Sequence, residues 1–347
     1  MLLILQGLVV DGSIFAGMSA IKGISVIIPN YNGESLLPQI LPTVFVALDN
    51  SGLPSEILVV DDCSTDASLQ VLQQKFPAVN VLQNKVNSGF SVTSNRGIKA
   101  AKYDWVLLLN SDVKLEPGFF KPLLKYTNKH DVFGVMGRIV GWQDDTIQDG
   151  AKYPYFHGVK IKTSGNYLLK DEIDMAPGLL TMYLSGANAF MNKERFLAIG
   201  GFNELFSPFY VEDFELSLRA WRLGYACYYE FNSICRHKTS ATIVSGNKKE
   251  NVRKIYNRNK MYLHAIHLSA GKRFLWFFQL TAEALIQLIT FKTYHIKAVR
   301  LFLSSYKSVV QSRRELHSLA NGRDLLPVNK VVDKIIGPIR DKAIIRF

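Results

Sequence analysis

The chain has 347 residues, 48% of them apolar and 20% charged, with a net charge of +12 and three cysteines. That apolar share excludes wholesale disorder, and Cys63, Cys227 and Cys235, odd in number and far apart, include no close pair of the kind a zinc site or a redox motif needs, which suits a reducing, cytoplasmic compartment. The basic charge sits at one end: residues 1–247 carry 21 Lys+Arg against 23 Asp+Glu, and residues 248–347 carry 20 against 6. There the basic residues alternate with long apolar stretches, a pattern that fits an anionic membrane surface better than nucleic acid.

Residues 1–22 read as an N-terminal extension. They begin apolar but lack a basic n-region, carry Asp11 and show no cleavage site, and Met18 is an alternative start. From Gly23 onward, short β-branched runs alternate with helical patterns. Ile24–Pro29, Glu56–Asp61, Val79–Asn84 and Trp105–Asn110 are nearly continuous in apolar residues, as buried parallel strands are. Helices are expected over Leu36–Leu48, Ala67–Phe76 and Val92–Ala101, the second opened by Asp66 as N-cap. Strand and helix in alternation predict an α/β fold with a parallel sheet and right-handed crossovers.

Asp131–Val140 is expected as a further strand, and Gly141–Pro177, with weak periodicity, as an irregular excursion. Leu179–Phe190 reads as a strand pair around Ser185-Gly186-Ala187, Glu194–Ile199 as a short helix closed by Gly200-Gly201, Glu212–Leu223 as a helix and Tyr225–Phe231 as a strand. Beyond Ser245, a helix over Glu250–Ala265 precedes Phe274–Phe291. That run is at the lower limit for spanning a bilayer, and Glu283 and two Gln make spanning costly. An interfacial helix, or a hairpin with Ile296–Val310, is expected instead.

In a parallel sheet, ligands bind beyond the carboxyl ends of the strands. Those ends here are polar: Pro29-Asn30-Tyr31-Asn32-Gly33, Asp61-Asp62-Cys63-Ser64 and Asn110-Ser111-Asp112. Each alone is ordinary turn chemistry. Three on one rim point to a site.

With ISVIIPNYNG (24–33), ILVVDDCSTD (57–66), NSGFSVTSNRGIKAA (87–101), WVLLLNSDV (105–113), LSGANAFMNKERFLAIGGFNELF (184–206) and YVEDFELSLRAWRLGY (210–225) in order, the chain resembles family 2 glycosyltransferases of the GT-A fold, in their rhamnosyltransferase-like branch. The resemblance implies inverting transfer of a sugar from a nucleotide diphosphate to a glycan or lipid-linked acceptor, at the cytoplasmic face of a membrane. It also implies a catalytic domain over 23–245 and a basic helical appendage over 246–347.

By the same resemblance Asp61 binds the base or ribose, with Pro29, Asn30 and Tyr31 lining that pocket and Asn87, Gly89, Asn95, Asn110 and Ser111 completing nucleotide binding. Asp112 is the one carboxylate left in the metal motif and His237 a second ligand, for Mn²⁺ or Mg²⁺. Asp213 resembles the catalytic base, Glu212 its orienting partner and Arg258 a ligand of the departing diphosphate. As a helix N-terminus, Glu212-Asp213 is expected to keep its pKa low. The Arg that often precedes Asn in the third helix is absent from Ser94-Asn95, Arg96 being displaced, and no Gln-X-X-Arg-Trp motif is present, which fits single additions. The rival readings are a nucleotidyltransferase, whose Gly- and Lys/Arg-rich phosphate loop ISVIIPNYNG does not resemble, and a non-catalytic membrane-bound scaffold.

Overall fold

A computed structural model of the protein describes residues 21–171, 175–238, 247–289 and 293–347. The N-terminal extension therefore lies almost wholly outside the described residues. Strand β1 (Ile24–Asn30), helix α1 (Leu37–Asp49), β2 (Ser55–Asp61), α2 (Ser68–Lys75), β3 (Asn80–Gln83), α3 (Phe90–Ala100) and β4 (Trp105–Leu109) follow one another as alternating units. β1 pairs in parallel with both β2 and β4, and β3 pairs with β2. The inner strands are buried on both faces, hence their unbroken apolar sequence. β3 is instead a mostly exposed edge strand, so the burial expected for it fails. Asp66 accepts the Ser68 N–H at 3.0 Å, one residue earlier than a formal cap of α2. α3 lies close on the sheet because Gly97 has no side chain: a Cβ there would come within 2.4 Å of Ile27 and 2.8 Å of Val60.

The sheet then turns mixed. β5 (Val113–Leu115) and β6 (Val132–Gly141) are followed by four short strands, β7 (Ile147–Asp149), β8 (Pro154–His157), β9 (Lys160–Thr163) and β10 (Tyr167–Leu169). The stretch expected to be irregular thus carries a β8–β9 hairpin. β11 (Leu179–Leu180) and β12 (Asn188–Asn192) do not pair with each other as expected: β11 joins β13 (Ala226–His237), and β12 runs antiparallel between β4 and β6. Among the described residues the sheet has ten strands, with β11-β13-β6-β12-β4-β1-β2-β3 as its main path. Helices α4 (Lys193–Ala198) and α5 (Glu212–Arg222) connect its second half.

The C-terminal hundred residues pack into the same core instead of hanging from it. Helices α6 (Asn247–His267), α7 (Ala270–Ile289), α8 (Thr293–Ser304), α9 (Tyr306–Leu319) and α10 (Val328–Ile336) bury Tyr262, Trp276, Phe302 and Val331, and strand β14 (Ile344–Arg346) pairs back onto β10. A buried ionic cluster ties them to α5. Glu215 accepts from Arg219 Nη2 at 2.5 Å and from His267 Nε2 at 3.2 Å, and Arg222 donates to the backbone carbonyls of His267 and Leu326. Lys160 of β9 is paired with Glu283 of α7, so the charge that argued against a membrane span fastens α7 to the hairpin. No helix among the described residues is long and apolar enough to cross a membrane.

Candidate active site

The carboxyl ends of β1, β2 and β4 converge on a cleft of about 580 Å³ lined by Pro29, Asn30, Tyr31, Asp62, Asn87, Gly89, Asn110, Ser111 and Asp112, with Pro208 and Phe209 opposite. Eight residues expected to bind nucleotide or metal therefore meet in one place. Tyr31 is about half exposed, leaving a ring face free for stacking. Gly89, at φ +83, lets the start of α3 approach Pro208, whose backbone lies 3.0 Å from where a Cβ would sit.

Asp61 is not at the cleft. It is fully buried, and its carboxylate accepts from the Ser64 N–H and hydroxyl and from Asn30 Nδ2, so it shapes the turn after β2. The next residue, Asp62, reaches the cleft and fastens the loop before α3 through Asn84 Nδ2 and the Ser88 and Gly89 N–H groups at 2.7–2.8 Å. Asn95 is a second correction. Its amide clasps Phe202 from both sides and reaches Glu204, on the far side of α3. Arg258 is a third: its Nη2 donates to the Ser207 carbonyl at 2.5 Å and, with Nε, to Asn259 Oδ1. It lines no part of the cleft.

At Asp112, one carboxylate oxygen is buried without a partner among the described residues, and the other lies 3.5 Å from His237 Nε2. His237 is oriented by Gln148, 2.8 Å from its Nδ1. One carboxylate and one imidazole fit a divalent cation that takes its remaining ligands from phosphate oxygens and water. No group of three or more acidic, His or Cys side chains suited to a metal exists among the described residues.

Glu212 and Asp213 begin α5, directly after Tyr210 and Val211, both of which hold positive φ, at 73° and 72°. Two consecutive non-glycine residues in that region store roughly 1–3 kcal/mol of strain each. Phe206–Val211 is held in place from α6: the fully buried Asn259 donates to the carbonyls of Phe206, Phe209 and Tyr210 at 2.6–3.1 Å. The loop is a partition. Pro208 and Phe209 face the cleft, whereas Tyr210, Val211 and Asp213 face a second chamber of about 590 Å³, walled by β9, α6 and α7.

The pKa of the acidic pair is not low as expected. Burial, reinforced by the charge of Asp213, pushes the Glu212 carboxyl up to about 8, and its Oε2 has no partner among the described residues. Burial also raises Asp213, against the Phe214 and Gly186 N–H groups and the charge of Lys152. Desolvation outweighs the helix dipole here. Lys152, itself lowered to about 8 by burial, is paired with Asp149. Burial thus raises both adjacent carboxyls of the pair.

A family model described as glycosyl transferase family 2 matches residues 25–198. The N-acetylglucosaminyl-diphospho-decaprenol L-rhamnosyltransferase of Mycobacterium tuberculosis is 23% identical over 243 residues, 62% of this chain and 76% of the relative. The poly(ribitol-phosphate) beta-glucosyltransferase of Bacillus spizizenii is 41% identical over 96 residues, 26% of this chain and 14% of that longer protein. Among solved structures, GalNAc-T7 with UDP, GalNAc and Mn²⁺ superposes with a TM-score of 0.57 at 14% identity, over 84% of this chain and 58% of that one. That likeness bears on the fold, which is GT-A with a C-terminal helical region.

Proposed function

The chain belongs to glycosyl transferase family 2, and from that membership we propose that it transfers a sugar, with inversion, from a nucleotide diphosphate in the cleft to an acceptor in the chamber beyond Asp213. The observation that carries this reading is the partition: nucleotide-type ligands of the sheet rim lie on one side of Phe206–Val211, and a buried carboxylate lies on the other. A displacement at the anomeric carbon needs the leaving group and the base on opposite faces of the sugar. Asp213 takes the proton of the acceptor hydroxyl, whose oxygen bonds to the anomeric carbon as the bond to the diphosphate oxygen breaks. A carboxylate raised by burial is a better base near neutral pH than an exposed one. Raised beside it, the Glu212 carboxyl resists adding a second full negative charge to the pair.

Asp62, Tyr31, Asn87 and Asn110 hold the nucleotide, and Asp112 with His237 would hold Mn²⁺ or Mg²⁺. Bound there, the cation supplies positive charge to the diphosphate. The acceptor is a glycan or lipid-linked sugar of a cell-surface polysaccharide, as the names of the relatives suggest. Peripheral membrane attachment fits α7, whose outward residues Phe274, Leu275, Phe278, Leu285, Ile286 and Ile289 are 56–76% exposed beside the basic surface of residues 248–347.

Asp213→Asn is expected to abolish transfer and leave nucleotide affinity nearly intact, and Asp112→Ala to abolish Mn²⁺-dependent nucleotide binding in calorimetry. Turnover within a few-fold of the unmodified enzyme in the first variant removes Asp213 from the role of base. Flotation with anionic vesicles at low salt tests attachment, and protein left in the supernatant refutes it.

A further inference from the structure

The chamber beyond Asp213 carries more charge than a site for a neutral sugar needs. Opposite Asp213, β9 supplies Lys160 and Lys162 to its walls, α6 supplies Tyr256 and Lys260, and α7 supplies Trp276 and Glu283. Lys160 is neutralised by Glu283. Lys162 and Lys260 have no carboxylate partner among the described residues, and Lys260 Nζ sits 4.3 Å from the centre of the Tyr256 ring. Asp213 does not pair with them. Its carboxylate accepts backbone N–H groups, and the cation nearest it electrostatically is Lys152. Two half-buried lysines lining a concave space, without a carboxylate partner among the described residues, make a potential that favours an anion.

The same helix adds the second observation. Trp276, Leu280 and Glu283 share the face of α7 that walls the chamber, and the exposed apolar stripe from Phe274 to Ile289 lies about 180° round the helix. α7 is therefore a thin wall, with the chamber on one side and an apolar surface on the other.

Building on the transfer reading above, we propose that the chamber binds the phosphate-bearing end of the acceptor, with Lys162 and Lys260 as its anion ligands and the aromatic side chains of Tyr256 and Trp276 against its sugar. The acceptor class is a sugar attached to a phosphate or diphosphate. Lysine is suited to phosphate as a point charge that tolerates several approach angles. The apolar outer face of α7 favours a phosphate carried by a lipid over a free one.

The test is a binding experiment on the full chain that requires no turnover. Farnesyl diphosphate and glucose 1-phosphate are the anionic probes, and farnesol and methyl glucoside their neutral counterparts. In calorimetry, Lys162→Ala/Lys260→Ala is expected to bind farnesyl diphosphate about tenfold more weakly, the loss of roughly one charge-assisted hydrogen bond. The Lys162→Arg/Lys260→Arg protein retains binding, as does Asp112→Ala, whose defect lies in the donor cleft. Farnesol and methyl glucoside are expected to respond to neither lysine substitution. Lysine-dependent binding of farnesyl diphosphate alone identifies a lipid carrier, and equal lysine-dependent binding of glucose 1-phosphate identifies a free or polymeric phosphate. Binding that is indifferent to both lysines, or that is lost in Asp112→Ala instead, overturns the proposal. Because Asp213→Asn is scored by turnover, failure of the base assignment stays separate from failure of the anion site.

Discussion

Asn259→Ala tests whether the C-terminal half holds the catalytic loop. The Asn259 amide is fully buried: Nδ2 faces the carbonyls of Phe206, Phe209 and Tyr210, and Oδ1 faces the Arg258 guanidinium at 2.8 and 3.0 Å. An amide has two N–H groups, so three carbonyls share two donors. Truncation leaves at least two carbonyls unpaired where water has little access, at about 1–3 kcal/mol each before relaxation. A loss of roughly 2–4 kcal/mol in stability is expected, with turnover falling further than folding alone explains, because the loop's other end is Val211 and then the acidic pair. Asn259→Asp is the sharper variant. It keeps the volume and the pairing to Arg258 but turns a donor into a charged acceptor against the same carbonyls, so it should be at least as damaging. Chemical denaturation gives the stability, and turnover is measured at a temperature where both variants are folded. If Asn259→Asp unfolds and turns over like the unmodified protein, the hydrogen-bonded clamp is refuted.

Arg219→Met should lower stability by about 3–5 kcal/mol, since it strands Glu215 in the core. Glu215 is held down to about 2 although burial pushes it up, because Arg219 and His267 outweigh desolvation, and Glu215→Leu in the same chain should recover most of the loss in denaturant melts. Glu212→Gln should gain on the unmodified protein as pH rises. A carboxyl whose folded pKa is about 8, against 4.5 unfolded, withholds stability progressively through that window, by at most about 1.4 kcal/mol per pH unit. A constant gap between the two proteins from pH 5 to 8 would contradict the raised pKa. His264 and His267 run the other way. Burial lowers both to about 4, so their contribution is complete above pH 6.5 and is lost as pH falls towards 4. Denaturation midpoints in the Glu212→Gln/Asp213→Asn background, free of both opposing carboxyl titrations, should drop between pH 6.5 and 5.

The strand ends that build the cleft were legible because they are both apolar in the run and polar at the tip, a switch that periodicity and turn chemistry expose together. What sequence left open was direction. Asp61 and Asp62 are adjacent carboxylates of equal chemistry, and their roles separate only when the turn after β2 directs one to Asn30 and Ser64 and the other to the cleft. Thr93 lines the cleft, and Asn95, two residues on, points about 200° round α3, which is why its amide meets Phe202. Counting along the helix was the available signal. Strands of three or four residues between Ile147 and Leu169 are too short for any period to show. The raised pKa of Glu212 depends on burial, which spacing does not encode. The basic charge of the last hundred residues hid their larger role, because the residues that wall the chamber are scattered over two helices and a distant hairpin.

That role sets the outcome of truncation. Sequence alone predicts that residues 1–247 stay soluble by themselves, the remainder being an appendage. Removing everything after that point exposes the faces that Tyr262, Trp276 and Phe302 cover, strands Glu215 without His267, and frees Phe206–Val211 from Asn259. Each large core side chain left uncovered by their loss forfeits about 1.5–3 kcal/mol of burial, so three such side chains forfeit roughly 4.5–9 kcal/mol, which reaches into a typical domain's whole stability margin of about 5–15 kcal/mol. The truncated chain is therefore expected to aggregate or to unfold without cooperativity, whereas a chain ending after Leu326 loses only α10 and β14 and should keep the clamp. Cooperative melting of the 1–247 fragment at a temperature close to that of the full chain would mean that the C-terminal helices lean on the catalytic core without sustaining it.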